Sequence, residues 1–366
     1  MNAPFIEQKA RQTLAVVDCD IHPAHRTPGE LLPYLEPRWR EHYQTHGVHV
    51  RQALPSALMY PRMMAAGMRA DSLPENGGPA GSDLDLLRKQ HLDPVNVEFG
   101  LLMALSKGGM EERNPGLAAA LSRATNDWQI DRWVREEPRL RAGIVVPQEF
   151  PEAAVAEIER CAGDRRYVQI MLSSRPSDPL GHRRYWPIYE AAERAGLPIG
   201  LHPVGYNGGH PSTGSGWPTF YLQEHYVFVA CMEALAASLI IEGVFERFPK
   251  LKVVLVEGGF GWAPALAWRM DKHFEKFRNE VAHLKRRPSE YLREHIWWTT
   301  QPIEEPAQSR HIVEIIDWIG WDRLFYSSDY PHWDYDNPSF AFKFPMTEEQ
   351  RRKIFRDNAM ALYRLA

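Results

Sequence analysis

The stretch that decides the fold is VVDCDIHP, residues 16–23, a short apolar run that ends in two acids, a histidine and a proline. Side chains two positions apart on a β-strand lie on the same face. Asp18, Asp20 and His22 follow this spacing. The pattern predicts a buried strand whose end presents polar groups on one side, and the rest of the chain gives the reason.

Seven further runs of apolar or β-branched residues follow, separated mostly by amphipathic segments. Nearly continuous apolar runs are typical of parallel strands that are covered on both faces. Helical patterns separate some of them, as at 151–162 and 185–196, and a helix with a threonine start closes the chain at 347–365. The predicted strands occupy 93–100, 141–148, 167–174, 197–205, 251–259, 295–302 and 323–331.

Eight strands alternating with helices in one chain predict a (β/α)8 TIM barrel, with residues 1–366 as a single domain. A doubly wound open sheet is the alternative. The barrel is favoured because polar residues stand at the ends of several different strands, which a closed barrel brings together.

Residues 23–83 do not follow the alternation. They are rich in Pro, Gly, Met and Tyr and include PENGGPAGS at 74–82. An insertion after the first strand of a barrel lies on its C-terminal face, over the active site. We therefore expect a lid or an oligomer contact rather than a floppy surface loop.

Charge and cysteine usage exclude several classes of partner. A formal net charge of -4 provides no basic field for nucleic acid. Cys19, Cys161 and Cys231 are far apart and odd in number, which argues against a disulfide framework and fits the cytoplasm. The most apolar stretch, 226–241, contains Glu233 and is shorter than the roughly 20 residues of a spanning helix. We expect a cytoplasmic protein without a membrane partner.

Polar residues stand at the ends of four predicted strands. The first strand ends in Asp20 and His22, the fifth in His202, the sixth in Glu257 and the eighth in Asp329. Taken singly, each is more often a turn residue than a ligand. Three carboxylates that converge with two imidazoles would repel one another, and a divalent metal is the simplest remedy. The sequence therefore predicts a metal site at this end of the barrel.

The ordered set of D-x-D-x-H on the first strand, LHP on the fifth, GG after the sixth and SSDYPH on the eighth resembles a known family. It is the amidohydrolase-related family, the aminocarboxymuconate semialdehyde decarboxylase-like branch of the amidohydrolase superfamily. The terminal IFRDNAMALYRL is similar to the last helix of that family. The resemblance covers residues 15–22 and 93–366 but not 23–83.

The resemblance implies roles for individual residues. Asp20, His22 and His202 would be metal ligands, and Asp18 would be a buried structural partner. Asp329 would bind the metal and orient or deprotonate a bound water. In family members with one metal ion, that ion is usually zinc or manganese.

Glu257 departs from the family pattern, which commonly has histidine at this position. Either Glu257 is protonated, its pKa raised by Asp20 and Asp329, or it helps to bind a second ion. His332, three residues after Asp329, is the best additional ligand for such an ion. A carboxylate-rich set with two histidines suits manganese or iron better than zinc. One ion and two ions both stay open.

Three further residues are candidates for substrate binding. Arg175 follows the fourth strand, where a cation could hold a substrate carboxylate. Trp262 and Trp333 adjoin the predicted site turns and could form walls for an aromatic or apolar substrate. A surface position for Arg175 and ordinary loop packing for the tryptophans are the alternatives.

These features together predict a metal-dependent hydrolase or non-oxidative decarboxylase acting on a small carboxylate- or carbonyl-bearing molecule. Asp329 or Glu257 would accept and donate the proton. One alternative is a dinuclear iron or manganese–iron oxygenase that hydroxylates a small substrate, as in a branch that resembles this family. Another is an inactive barrel subunit of a heteromer. The largely apolar segment 222–248 predicts a homodimer or higher oligomer, and a heteromeric partner stays open.

Overall fold

The computed structural model contains one sheet of eight parallel strands, in the sequential order β1 to β8. It describes residues 14–27, 29–46, 67–75, 77–105, 108–110, 112–203 and 220–365. The strands are β1 (Val16–Ile21), β2 (Val97–Leu102), β3 (Leu140–Val145), β4 (Tyr167–Ser173), β5 (Ile199–His202), β6 (Val253–Leu255), β7 (Ile296–Thr299) and β8 (Leu324–Phe325).

Helices lie between consecutive strands from β2 onward. In the described ranges none of them is both long enough and apolar enough to cross a membrane. Single π-helical turns at Arg88–Leu92, Ile130–Val134 and Lys353–Asp357 continue three of the α-helices. The α-helices are α1 (Pro37–His46), α2 (Leu84–Leu87), α3 (Pro115–Gln129), α4 (Pro151–Cys161), α5 (Trp186–Ala195), α6 (Tyr221–Ile241), α7 (Val244–Arg247), α8 (Ala263–Phe277), α9 (Pro288–His295), α10 (Ser309–Ile319), α11 (Glu348–Arg352) and α12 (Asn358–Tyr363).

Hydrogen bonds join β1 to the residues that follow β8. The backbone N–H of Cys19 donates to the carbonyl of Tyr326 at 3.0 Å, and that of His22 donates to Tyr330 at 2.8 Å. Ile21 and Tyr330 form an isolated parallel bridge. β1 therefore has neighbours on both sides, so the open doubly wound sheet is excluded and the predicted TIM barrel is confirmed.

Several of the helices, namely α4, α5, α8, α9 and α10, are amphipathic at the expected spacing, and α10 shows why they pack. Its buried residues Ile312, Ile316 and Ile319 recur every three or four positions and face the barrel. Burial of each such side chain contributes about 1.5–3 kcal/mol. Gly196 ends α5 in the left-handed conformation, at φ 67°, as its position in the predicted helix suggests.

Strand boundaries differ from the prediction where turn geometry replaces the ladder. Residues 93–96 form a turn, so that β2 begins at Val97. The predicted strand 323–331 is reduced to two residues because the rest of that run builds the turn around Asp329. The helix predicted over 347–365 begins with the expected capping box of Thr347, and the π turn then interrupts it.

Glu137 connects the turn before β3 to the π turn after α2. Its carboxylate accepts hydrogen bonds from Arg139 Nε at 2.8 Å and from Arg88 Nε at 2.9 Å. The hydrogen bonds from Arg139 and the one from Arg88 together outweigh the effect of burial. They lower the pKa of Glu137 from 4.5 to about 2. The ionised carboxylate is therefore part of the folded structure.

We expect Glu137→Gln to lower the free energy of unfolding by about 1–2 kcal/mol at neutral pH. The folded pKa lies below the unfolded value, so this stabilisation is complete above pH 4.5 and is lost as the pH falls toward 2. Urea unfolding of both proteins at neutral and acidic pH measures the difference. A difference that stayed constant as the pH fell would contradict this assignment.

Candidate metal centre

The polar residues at the strand ends converge in two groups that share His22. Within each group, the potential ligand atoms all lie within 4.8 Å of one another. The groups are Asp20, His22, His202 and Glu257, and His22, Asp329 and His332.

His22 stands between the two carboxylates of β1 and β8. Its Nε2 lies 3.1 Å from Asp20 Oδ1 and 2.7 Å from Asp329 Oδ1. Its Nδ1 lies 3.0 Å from the carbonyl oxygen of Met103. Because a carbonyl only accepts, Nδ1 carries a proton and Nε2 faces the carboxylates, which is the arrangement of a metal-binding histidine. Burial lowers the pKa of His22, but Asp20 outweighs it, and the pKa lies well above the ordinary value.

His202 and Asp20 are fully buried, and their polar atoms are not satisfied. Among the described residues, neither Asp20 oxygen and neither His202 nitrogen has a hydrogen-bond partner. His202 Nε2 lies 3.5 Å from Asp20 Oδ2 and 3.1 Å from Glu257 Oε2. Burial lowers the pKa of His202 and so favours its neutral, metal-binding form. A buried group without a partner costs about 1–3 kcal/mol, and a cation among these atoms would remove that cost.

Glu257 and Asp329 have the left-handed backbone conformation. Their φ angles are 55° and 58°, and they lie just beyond β6 and β8. This conformation costs a residue with a Cβ atom about 1–2 kcal/mol, and such strain is concentrated at functional sites. The N–H of Glu257 donates to Thr299 Oγ1 at 3.1 Å, which links its turn to β7.

The two acids differ in their preferred protonation state. Burial raises the pKa of Glu257, and the charges of Asp329 and Asp20 raise it further, well above the ordinary value. Burial also raises the pKa of Asp329, but His332 and His22 outweigh it, and the pKa lies below the ordinary value. In the absence of a cation, the proton of this acid pair therefore belongs to Glu257.

Two glycines after Glu257, Gly259 and Gly261, leave room for Glu304, which the sequence did not single out. Its carboxylate accepts a hydrogen bond from the N–H of Gly261 at 2.9 Å. A Cβ atom on Gly259, whose φ is 60°, would lie 2.5 Å from Glu304 Oε1. The glycine-rich turn that follows Glu257 thus closes around a partly buried carboxylate.

Asp18 does not share the contacts of Asp20, although the two residues follow the same spacing on β1. The register of β1 against β2 shifts between Asp18 and Ile21. Such a bulge re-aims side chains and is common beside active sites. Asp18 instead accepts hydrogen bonds from Ser328 Oγ at 2.5 Å and lies 2.6 Å from His91 Nε2. It is buried, as the resemblance implies for a structural partner.

Gln301, just after β7, contacts the carboxylate oxygen of Asp329 that does not contact His22. Its Nε2 donates to Asp329 Oδ2 at 3.2 Å and to Asp334 Oδ2 at 2.8 Å. His225 Nε2 lies 3.0 Å from the same Asp334 oxygen. The predicted strand 295–302 gave no signal for this role, because the contact joins residues that are 28 positions apart.

The remaining predicted site residues are less closely tied to the metal group. The guanidinium of Arg175 lies over the ring of Phe228 on α6, at 5.4 Å. Trp262 is buried, and its indole N–H donates to the carbonyl of Gly258 at 2.9 Å. Trp333 is 46% exposed, and its ring lies 5.6 Å from that of His225. Substrate binding by Arg175, Trp262 and Trp333 stays a prediction.

The backbone strain at Glu257 predicts an unusual order of stability for the glycine and alanine variants at this position. In metal-free protein we expect Glu257→Gly to be more stable than Glu257→Ala by about 1 kcal/mol, because only alanine keeps a Cβ in the left-handed backbone. Urea unfolding measures both. Glu314, exposed on α10, is the matched control. There we expect the reverse order, since glycine destabilises a helix by about 1 kcal/mol. Equal stabilities at position 257 would contradict the strain.

Comparison with known proteins places this geometry in a family. A family model described as Amidohydrolase matches residues 17–365. The chain therefore belongs to the amidohydrolase family.

Relatives within and near this family are named for decarboxylation. The γ-resorcylate decarboxylase of Polaromonas sp. strain JS666 is 27% identical over 300 residues, covering 77% of this chain and 88% of the relative. The 2-amino-3-carboxymuconate-6-semialdehyde decarboxylase of Dictyostelium discoideum is 25% identical, covering 67% and 66%. The structure of 5-carboxyvanillate decarboxylase from Novosphingobium aromaticivorans, with bound manganese, is similar with a TM-score of 0.71 at 18% identity, covering 99% and 100%.

The chain is thus a metal-dependent enzyme of the predicted class, a hydrolase or non-oxidative decarboxylase with a small-molecule substrate. The predicted divalent metal cofactor agrees with the residue group described above and with manganese in the neighbouring structure. These relatives favour neither the dinuclear oxygenase nor the inactive subunit.

Proposed function

We propose that the protein is a manganese-dependent non-oxidative decarboxylase. Its substrate is a small carboxylic acid that carries an oxygen substituent beside the carboxyl-bearing carbon. The observation that carries this proposal is the buried set of Asp20 and His202 atoms without hydrogen-bond partners among the described residues. They lie at the ends of barrel strands in a chain whose relatives are decarboxylases.

The residues present fit a divalent cation. Asp20, His22 and His202 of the first group would hold it together with Asp329, which adjoins them through the shared His22. A ligand set of two carboxylates and two imidazoles suits manganese. When bound, the cation polarises the substrate carboxylate and the adjacent oxygen. His22 is oriented by Met103, as shown by its Nδ1 contact, so that its other nitrogen is presented to the site.

Decarboxylation breaks the bond between carbon and carboxylate and leaves an electron pair on that carbon, which must receive one proton. Asp329 is engaged on both oxygens, by His22 and His332 on Oδ1 and by Gln301 on Oδ2. Among the described residues, the carboxylate of Glu257 forms one ion-pair contact, with His202 Nε2 at 3.1 Å. We therefore assign the proton donor to Glu257 and the orienting and metal-binding role to Asp329.

The surroundings of the site belong to the same proposal. Arg175 would attract the substrate carboxylate, with Trp262 and Trp333 as apolar walls. The insertion 23–83, of which 28, 47–66 and 76 lie outside the described residues, would act as a lid or an oligomer contact. Leu222 and Tyr226, 62% and 68% exposed at the start of α6, support a homodimer or higher oligomer. Buried thiols at all three cysteines support the cytoplasm.

Metal removal tests the proposed reaction. We expect the EDTA-treated protein to release no CO2 from γ-resorcylate or 5-carboxyvanillate, and Mn²⁺ to restore release from at least one of them. Benzoate, which lacks the adjacent oxygen, should stay intact. Product identity and CO2 are measured by mass spectrometry under air and under argon. A reaction that required oxygen, or Mn²⁺-loaded protein inactive on both acids, would contradict the proposal.

The roles of the two acids predict different losses. Glu257→Gln should lower kcat by about 100-fold or more while Mn²⁺ affinity stays within about threefold, because the proton donor is removed and the ligands remain. Asp329→Asn should weaken Mn²⁺ binding itself. Calorimetric titration separates the two effects, and Glu314→Gln, on the exposed face of α10, is the control. Loss of Mn²⁺ affinity in Glu257→Gln would instead make Glu257 a ligand.

A further inference from the structure

The insertion after β1 contains a segment that touches both strand ends with candidate ligands. This segment, the arm, comprises residues 67–75 and 77–83. We infer that the arm is a positioning element of the metal centre and that it fixes the main chain at His22 and at His332 together. The inference rests on the metal ligands of the proposed function and not on the reaction they assist.

On the β8 side, the arm pairs with the turn that follows Asp329. Met68 and His332 form an antiparallel bridge. The N–H of Arg69 donates to the carbonyl of Pro331 at 3.0 Å. The N–H of Trp333 donates in turn to the carbonyl of Gly67 at 2.7 Å. The backbone on either side of His332 is thus held by strand-like hydrogen bonds to the arm.

On the β1 side, the arm approaches the backbone of His22 without room for a side chain. The carbonyl of Gly81 accepts a hydrogen bond from the N–H of Ala24 at 2.8 Å. A Cβ atom on Gly81 would lie 2.4 Å from the carbonyl oxygen of His22 and 3.4 Å from Pro331 Cγ. Gly81 therefore lies against both ligand-bearing segments at once, and only glycine fits there.

The arm is itself anchored to a buried network. The guanidinium of Arg69 binds Asp71 through Nε at 2.9 Å and Nη2 at 2.6 Å and lies 4.6 Å from the centre of the Tyr335 ring. The hydroxyl of Tyr335 lies 3.0 Å from His91 Nδ1, on the histidine that contacts Asp18. The arm and the ends of β1 and β8 therefore form one connected unit.

Two glycines of the arm give a matched pair of variants. Gly77 and Gly81 have nearly the same left-handed backbone, with φ of 81° and 77°. Among the described residues, a Cβ atom on Gly77 would meet no atom within 4 Å, whereas one on Gly81 would meet His22. Gly77→Ala and Gly81→Ala therefore carry the same backbone strain, and only the second displaces a ligand segment.

The experiment measures binding of Mn²⁺ alone to the EDTA-treated full chain by calorimetry. We expect the Kd for Mn²⁺ to rise by about 10- to 100-fold in Gly81→Ala, as when a residue that orients a metal ligand is lost. In Gly77→Ala we expect this Kd to stay within about twofold of the wild-type value. Visible spectra of the Co²⁺ forms report ligand geometry and should change in Gly81→Ala alone. Thermal unfolding of the metal-free proteins separates these effects from general destabilisation.

Equal Mn²⁺ affinity and equal Co²⁺ spectra in the two variants would overturn the role of the arm. A wild-type protein that binds neither ion would overturn the metal centre and, with it, this inference. If Gly81→Ala does not fold, Arg69→Ala takes its place, with Arg194→Ala as the control because Arg194 forms an exposed ion pair with Glu159 at 2.6 Å. Unchanged Mn²⁺ affinity in Arg69→Ala would then overturn the inference.

Discussion

The hydrogen bonds between β1 and the segment after β8 make the rest of this structure possible. Asp20 and His22 stand at the beginning of the barrel in sequence, and Asp329 stands near the end of the chain. The bond from the His22 N–H to Tyr330, at 2.8 Å, places them side by side. Closure of the sheet therefore also assembles the metal centre, because ligands at the first and last strands meet only in a closed barrel.

Bringing these residues together raises the free energy of the metal-free folded protein. Three carboxylates and two imidazoles are buried together, and the backbone at Glu257 and Asp329 is strained. Neither feature stabilises the metal-free chain, since buried polar groups without partners and left-handed residues both raise its free energy. A bound cation offsets the first cost, so metal affinity and folding stability are linked in this protein.

Much of this could be predicted from the sequence because it depends on position along each strand. The eight-strand pattern predicted the barrel, and residues at strand ends predicted Asp20, His22, His202, Glu257 and Asp329 as one group. The contacts of Asp18 with Ser328 and His91 could not be predicted, because they join residues far apart in sequence. Gln301 and Glu304 were missed because their roles come from contacts across loops, which no local pattern encodes. The identity of the bound ion and of the substrate also depends on such contacts, so it could not be predicted from the sequence.

The insertion after β1 was the least predictable region, and its described part is bound to the centre of the site. Gly81 contacts the backbone of His22, and Met68 pairs with His332. The described residues of the insertion touch both ligand-bearing turns, so a displacement of these residues would also displace the turns. A substrate that contacts the arm would therefore act on the same backbone that positions the metal ligands. By linkage, metal binding and substrate binding would then favour each other through shared contacts.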